Sequence, residues 1–163
     1  KIRQKGYTEA AIFASRHSYF ATSQRVQAFI SSCERLGIET DEKYILKGSS
    51  TRNGGYEIGK QYAALKEPPK MIFCDSDAIA LGALRAFHEE GISVPGDAEL
   101  LSIGMLDPEA ASYYVPSLSV VEMPNKEIGQ QVLRLMRKKV LNNDMSSEHV
   151  KVHAKLMLRE SFS

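Results

Sequence analysis

The sequence predicts an α/β fold built on a doubly wound parallel sheet, and three observations predict it. Short apolar runs alternate with longer amphipathic segments along most of the chain, the pattern of repeated βαβ units. The sharpest of these units is the apolar run 71–74, which ends in the polar turn Asp75-Ser76-Asp77 and opens an amphipathic stretch over 78–90. Glycine or proline then punctuates the segments, at Gly37, Pro68-Pro69, Gly91 and Pro95.

Taken in order, residues 10–14 form a short buried strand after a turn at Gly6. Ser23 precedes a helix over 24–36, with Val26, Phe29, Ile30 and Cys33 at helical spacing and Gly37 as its stop. A second strand covers 44–46 and ends at Gly48-Ser49-Ser50. After Asn53-Gly54-Gly55 a second helix runs over 56–65. The third strand and helix are 71–74 and 78–90, and 99–103 is the fourth strand. A short helix over 108–113 comes next, then a strand over 118–122. The last long helix, 125–141, carries Ile128, Val132, Leu135 and Met136 on one side, and 150–158 is extended. No internal repeat or low-complexity segment is present.

The 163 residues suffice for a real core, and 43% hydrophobic with 25% charged content is that of a globular protein. A formal net charge of +1 points to neither a polyanion-binding nor an acidic surface. No apolar run reaches the ~20 residues that span a bilayer, so no membrane partner is expected. The first residues lack both Met and a signal-peptide core, so the chain reads as an excised piece of a longer protein. The two cysteines, Cys33 and Cys74, fall in a helix and at a strand end, where buried free thiols are expected; a cytoplasmic origin fits them.

Candidate chemistry concentrates at strand ends. Asp75, Ser76 and Asp77 can cap the helix that comes after them, or bond a polyhydroxylated ligand, or both. Arg25, in the first turns of the first helix, can reach the same cleft and grip oxygens bidentately; the alternative is a surface arginine. Two close carboxylates raise acid/base or metal chemistry, but no third acidic or histidine partner is near in sequence, and His17, His88, His149 and His153 are scattered. Gly48 to Gly55 lacks the lysine and glycine spacing of a phosphate loop, and no catalytic motif is found, so neither metal nor cofactor is implied. Leu81 and Leu84 point partly away from the sheet if Ile79, Ala83 and Ala86 face it, which marks a subunit contact; Tyr113 to Pro116 is a second such cluster. Arg134, Arg137, Lys138 and Lys139 lie near a helix C-terminus, where cations are favoured, and read as a solvated face.

Four segments together resemble the effector-binding region of the lactose-repressor (LacI/GalR) family of transcription regulators. They are Gly6-Tyr7 with Ser23 to Phe29; 69–97; Leu101 to Gly104 with Tyr114 to Val121 and Pro124; and the closing Leu158-Arg159-Glu160-Ser161. The resemblance implies a type I periplasmic-binding-protein-like fold, truncated so that mostly its C-terminal lobe remains. Residues 1–122 and 142–163 would form mainly that lobe, and the 123–141 helix would belong to the N-terminal one. The family's DNA-binding helix-turn-helix is absent from this chain, so operator DNA would be reached only through it. The resemblance further implies a repressor that binds a small effector, most readily a sugar, as a cytoplasmic homodimer under allosteric control, with no enzymatic activity. It places Arg25, Ser76 and Ser50 at the effector, and Leu81 and Tyr114 at the dimer interface; Asp77 and Tyr19 are further candidate ligand contacts, and Leu84 joins the interface candidates by its helical spacing. Ser50 matches a position that is often aromatic in the family. Where the family often has an aspartate two residues after Gly104, this chain has Leu106 and then Asp107: either the loop slips so that Asp107 serves, or the ligand differs. The rivals are a periplasmic sugar-binding transport protein of the same fold and an enzyme using Asp75 and Asp77. The Val94 to Asp97 turn, the Tyr114 to Val121 segment and the unpaired cysteines argue against the first.

Overall fold

A computed structural model describes residues 1–16, 20–104, 108–141 and 146–163. Its strands are β1 (Ala11–Ser15), β2 (Ile45–Gly48), β3 (Met71–Cys74), β4 (Glu99–Gly104), β5 (Ser119–Glu122) and β6 (Lys155–Met157). Its α-helices are α1 (Phe20–Leu36), α2 (Arg52–Ala63), α3 (Asp77–Glu90), α4 (Pro108–Ser112) and α5 (Asn125–Leu141). One sheet holds the strands in the order β2-β1-β3-β4-β5-β6. All neighbours are parallel except β5 and β6, so the expected parallel sheet gains an antiparallel edge.

The sheet grows in one direction from β1 to β2 and in the other from β1 through β3, β4 and β5. Right-handed crossovers then force α1 onto one face and α2 and α3 onto the other. Alternation along β1 serves both faces: Phe13 packs with Ile58, Tyr62, Ile79 and Phe87, whereas Ile12 and Ala14 pack with Val26, Phe29 and Ile30. The Phe29 ring of α1 stacks on Phe73 of β3 at 4.2 Å and 6°. On the far face Phe13, Tyr62 and Phe87 meet edge-on or tilted, and the Tyr62 hydroxyl donates to the Pro69 carbonyl at 2.9 Å.

Several helix boundaries differ from the sequence expectation. Ser23 lies inside α1 and donates to the Phe20 carbonyl at 3.0 Å, so it does not cap the helix. α2 starts at Arg52, because the Thr51 hydroxyl accepts from the Gly54 N–H at 3.1 Å; a good cap outweighs two glycines. Those glycines are there for packing. A Cβ on Gly55 would sit 2.1 Å from the Ile79 carbonyl oxygen, and one on Gly82 would sit 1.9 Å from that of Arg52. α2 and α3 therefore touch backbone to backbone.

Of the extended tail only Lys155–Met157 pairs as a strand. The last residues are fixed by side chains: Ser161 accepts from the Ser119 N–H and donates to the Leu100 carbonyl, both at 2.8 Å. Arg159 donates to the Leu118 carbonyl at 2.9 Å, and Phe162 is buried beneath β4. The closing motif is thus a clasp on β4 and β5. Cys33 and Cys74 are both free and buried. Among the described residues no helix is long and apolar enough to cross a membrane.

Candidate functional site

The strand order reverses between β1 and β3, so the loops leaving their carboxyl ends diverge and open a crevice. The register Phe13↔Cys74 makes Ser15 and Asp75 neighbours at that edge. Asp75 is fully buried; its Oδ2 accepts from the Ser15 N–H at 2.7 Å, and its own N–H donates to the Phe13 carbonyl at 3.0 Å. Its Oδ1 is buried without a hydrogen-bond partner among the described residues. An orphaned buried carboxylate oxygen is unfavourable and is a feature that a bound group would satisfy.

α1 supplies the opposite wall. Arg25 reaches over from its second turn and donates through Nη1 to the Asp75 carbonyl at 3.4 Å. The resulting cavity of about 220 Å³ is lined by Ser15, Arg16, Thr22, Gln27, Lys47 and Asp75, with Ala14 and Val26 as its main apolar surface. A larger hollow of about 720 Å³ lies along α5, but among the described residues only the side chains of that single helix line it. Beneath the crevice, in the core shared with Phe13 and Ile79, burial first and the Asp75 charge second hold the Cys74 thiol well above its ordinary range. Such burial disfavours the thiolate.

Among the described residues, none of the expected ligand contacts Arg25, Ser76, Asp77 and Ser50 lines the cavity itself, although they lie on the same edge of the sheet. Arg25 touches the strand-end turn through Asp75. Ser76 caps α3, accepting from the Ile79 N–H at 3.4 Å, and Asp77 is buried in the first turn of that helix. Ser50 is exposed just past β2, on the same edge of the sheet. Tyr19 and Asp107, with His17 and Leu106, lie outside the described residues. Arg16 and Lys47, which belong to no sequence motif, line the crevice, as does Gln27 of the Ser23 to Phe29 segment. Only the immediate proximity of Arg16 and Lys47 to the ends of β1 and β2, and of Gln27 to Arg25, could have flagged them. Among the described residues no group of three His, Cys, Asp or Glu side chains could hold a metal ion.

A second surface gathers away from the crevice. Leu81 and Leu84 of α3 meet Tyr114 and Val115 around a cavity of about 560 Å³ that is rimmed by Arg52, Arg85 and His88. Ile79, Ala83 and Ala86 are all buried; Ile79 and Ala83 join the core under the sheet, whereas Ala86 lies against Gly59 of α2.

Residues 1–162 match the family described as periplasmic binding protein-like domain. The HTH-type transcriptional repressor PurR of Mannheimia succiniciproducens is 27% identical over 156 residues, covering 96% of this chain and 46% of the repressor. Thus the chain spans about half the length of the curated relatives it matches. A LacI family transcription regulator from Clostridium acetobutylicum superposes with a TM-score of 0.89 at 30% identity, over 97% of this chain and 58% of that one. A regulator from Enterococcus faecium, solved with bound ribose, shares the fold with a TM-score of 0.82 at 20% identity, over 96% and 56% of the two chains. The chain belongs to the periplasmic binding protein-like domain family, in the form carried by LacI-family transcription regulators.

Proposed function

We propose that this chain is the effector-sensing part of a bacterial transcription regulator, binding a small ligand and thereby controlling operator DNA binding by a domain outside it. The observation that carries the reading is the meeting of Arg25 and Asp75 across the crevice where the strand order reverses. Binding there requires no covalent step. A ligand that prefers one arrangement of two lobes shifts their populations, and the DNA-binding parts respond. The ribose-bound relative makes a sugar or sugar derivative the first class to test.

In this reading Arg25, Ser76, Asp77, Ser50, Tyr19 and Asp107 contact the effector. The α5 helix, residues 123–141 with its lead-in, belongs to the N-terminal lobe. Leu81, Leu84 and Tyr114 form a homodimer interface, supported by their clustering around one apolar hollow. The protein works in the cytoplasm and is not an enzyme. The test is a thermal-shift screen of sugars on the complete protein, since a bound ligand raises the melting temperature by mass action. A hit that also changes operator affinity, and that Arg25→Ala weakens at least tenfold, is the expected result. Ligands that stabilise the protein without touching DNA affinity would favour a transport role.

A further inference from the structure

Resting on the effector reading above, we infer that the crevice between β1 and β3 takes an anionic ligand, a sugar bearing a phosphate or carboxylate. Arg16 and Lys47 hold the negative group, and Asp75 faces a hydroxyl. Arg16 comes directly after β1; its N–H donates to the Gly48 carbonyl at 2.6 Å and its Nη2 to the Lys47 carbonyl at 3.4 Å. The guanidinium is therefore tied across to the end of β2, beside the Lys47 residue that also lines the crevice. Neither Arg16 nor Lys47 lies within ion-pair distance of a carboxylate among the described residues. Both residues are exposed at the mouth of the cavity, where an anion can draw on two positive charges.

The acidic side of the crevice does not offset them. Asp75 is its only described carboxylate; one oxygen is taken by the Ser15 N–H and the other has no described partner. The described lining of the cavity thus sets two cations, Arg16 and Lys47, against one acid. The described lining also lacks any aromatic ring, and its apolar part is little more than Ala14 and Val26. Pockets for neutral ligands are ordinarily lined by apolar and aromatic side chains. Among the described lining residues the charged groups are Arg16, Lys47 and Asp75, with Ser15, Thr22 and Gln27 as neutral polar groups beside them.

Binding calorimetry on the complete protein tests this with matched sets: ribose, ribose 5-phosphate and ribonate, then glucose, glucose 6-phosphate and gluconate. At least one anion should bind tenfold or more tighter than its neutral partner, with a preference that weakens at high salt. The phosphate and carboxylate arms show which group is preferred. Lys47→Ala should shrink the anion-to-neutral ratio at least threefold. Lys43→Ala, which removes an ammonium already paired with Asp41 at 2.9 Å, should leave the ratio as it was. Neutral sugars binding as tightly as their anions would overturn the charge assignment and leave the effector reading standing. Failure of every member of both classes would sink the effector reading and the charge assignment with it.

Discussion

Helices α3 and α5 are both amphipathic, with 14 and 17 residues, and they end up in opposite circumstances. α3 buries seven residues, is capped at its start by Ser76, and is closed by Gly91 in the left-handed conformation at φ 71°. Its Gly82 lets α2 approach until the backbones touch. α5 buries none: Leu133, Met136 and Val140 are 64%, 56% and 75% exposed. Its polar side is well served, since Arg134 and Lys138 both pair with Glu148. The difference teaches that helical periodicity records a need for a partner and says nothing of which partner. In α3 the need is met by the sheet and α2. In α5 nothing among the described residues meets it, in keeping with the proposal that this helix belongs to another lobe.

The largest expected effect comes from closing the α2–α3 gap. Gly82→Ala forces a Cβ into the Arg52 carbonyl and should destabilise the protein by about 3 kcal/mol or more. The matching change in the other helix, Gly129→Ala, has nothing within 4 Å of the new Cβ. It should stabilise by about 0.5–1 kcal/mol, because alanine is the better helix former. Denaturant titration of the two variants measures the contrast, and equal effects would erase it.

A second expectation sharpens the comparison. If α5 is covered in the complete protein, Leu133→Ala should cost about 2 kcal/mol there, as a core truncation does. A value within about 0.5 kcal/mol of zero would mean that α5 stays bare, as surface substitutions usually show.

The smallest effect concerns the clasp beside β5. The Ser117 N–H at 2.7 Å, then its hydroxyl at 2.9 Å, hold the Glu160 carboxyl below its ordinary value of 4.5. A group whose value is lowered by folding contributes fully above the ordinary value, and its contribution disappears as pH falls through the folded one. Glu160→Gln should therefore melt slightly below the unsubstituted protein at neutral pH, with the gap closing as the pH drops below 4.5. A gap that persists in acid would assign Glu160 no such linkage. The group is exposed, so the effect is slight.

Legibility in the sequence divides along the same line. The strands β1, β3 and β4 and the helix α3 are readable because apolar runs, caps and glycine stops agree with one another. The apolar stripe of α5 is readable too, though not its lack of cover. Gly54-Gly55 look like a loop because their roles are close contacts, Gly54 with Ser49 and Gly55 with Ile79 of α3, and intrinsic propensity carries no trace of that. Among Asp75, Ser76 and Asp77 the sequence places a site but cannot assign the parts. Which one is drawn into the crevice depends on the β1–β3 register, a long-range pairing. Register also brings Arg16 beside Lys47 from a distance of 31 residues.

Hydrogen exchange of the complete protein, with and without the sugar or sugar derivative giving the largest thermal shift, tests the central claim most directly. Slowed exchange should centre on the Ser15 amide, the 22–27 stretch of α1 and the turn after β3, where Arg25 and Asp75 meet. Protection confined to other surfaces, such as the α2–α3 face or the Leu81–Tyr114 hollow, with these amides unchanged, would contradict it.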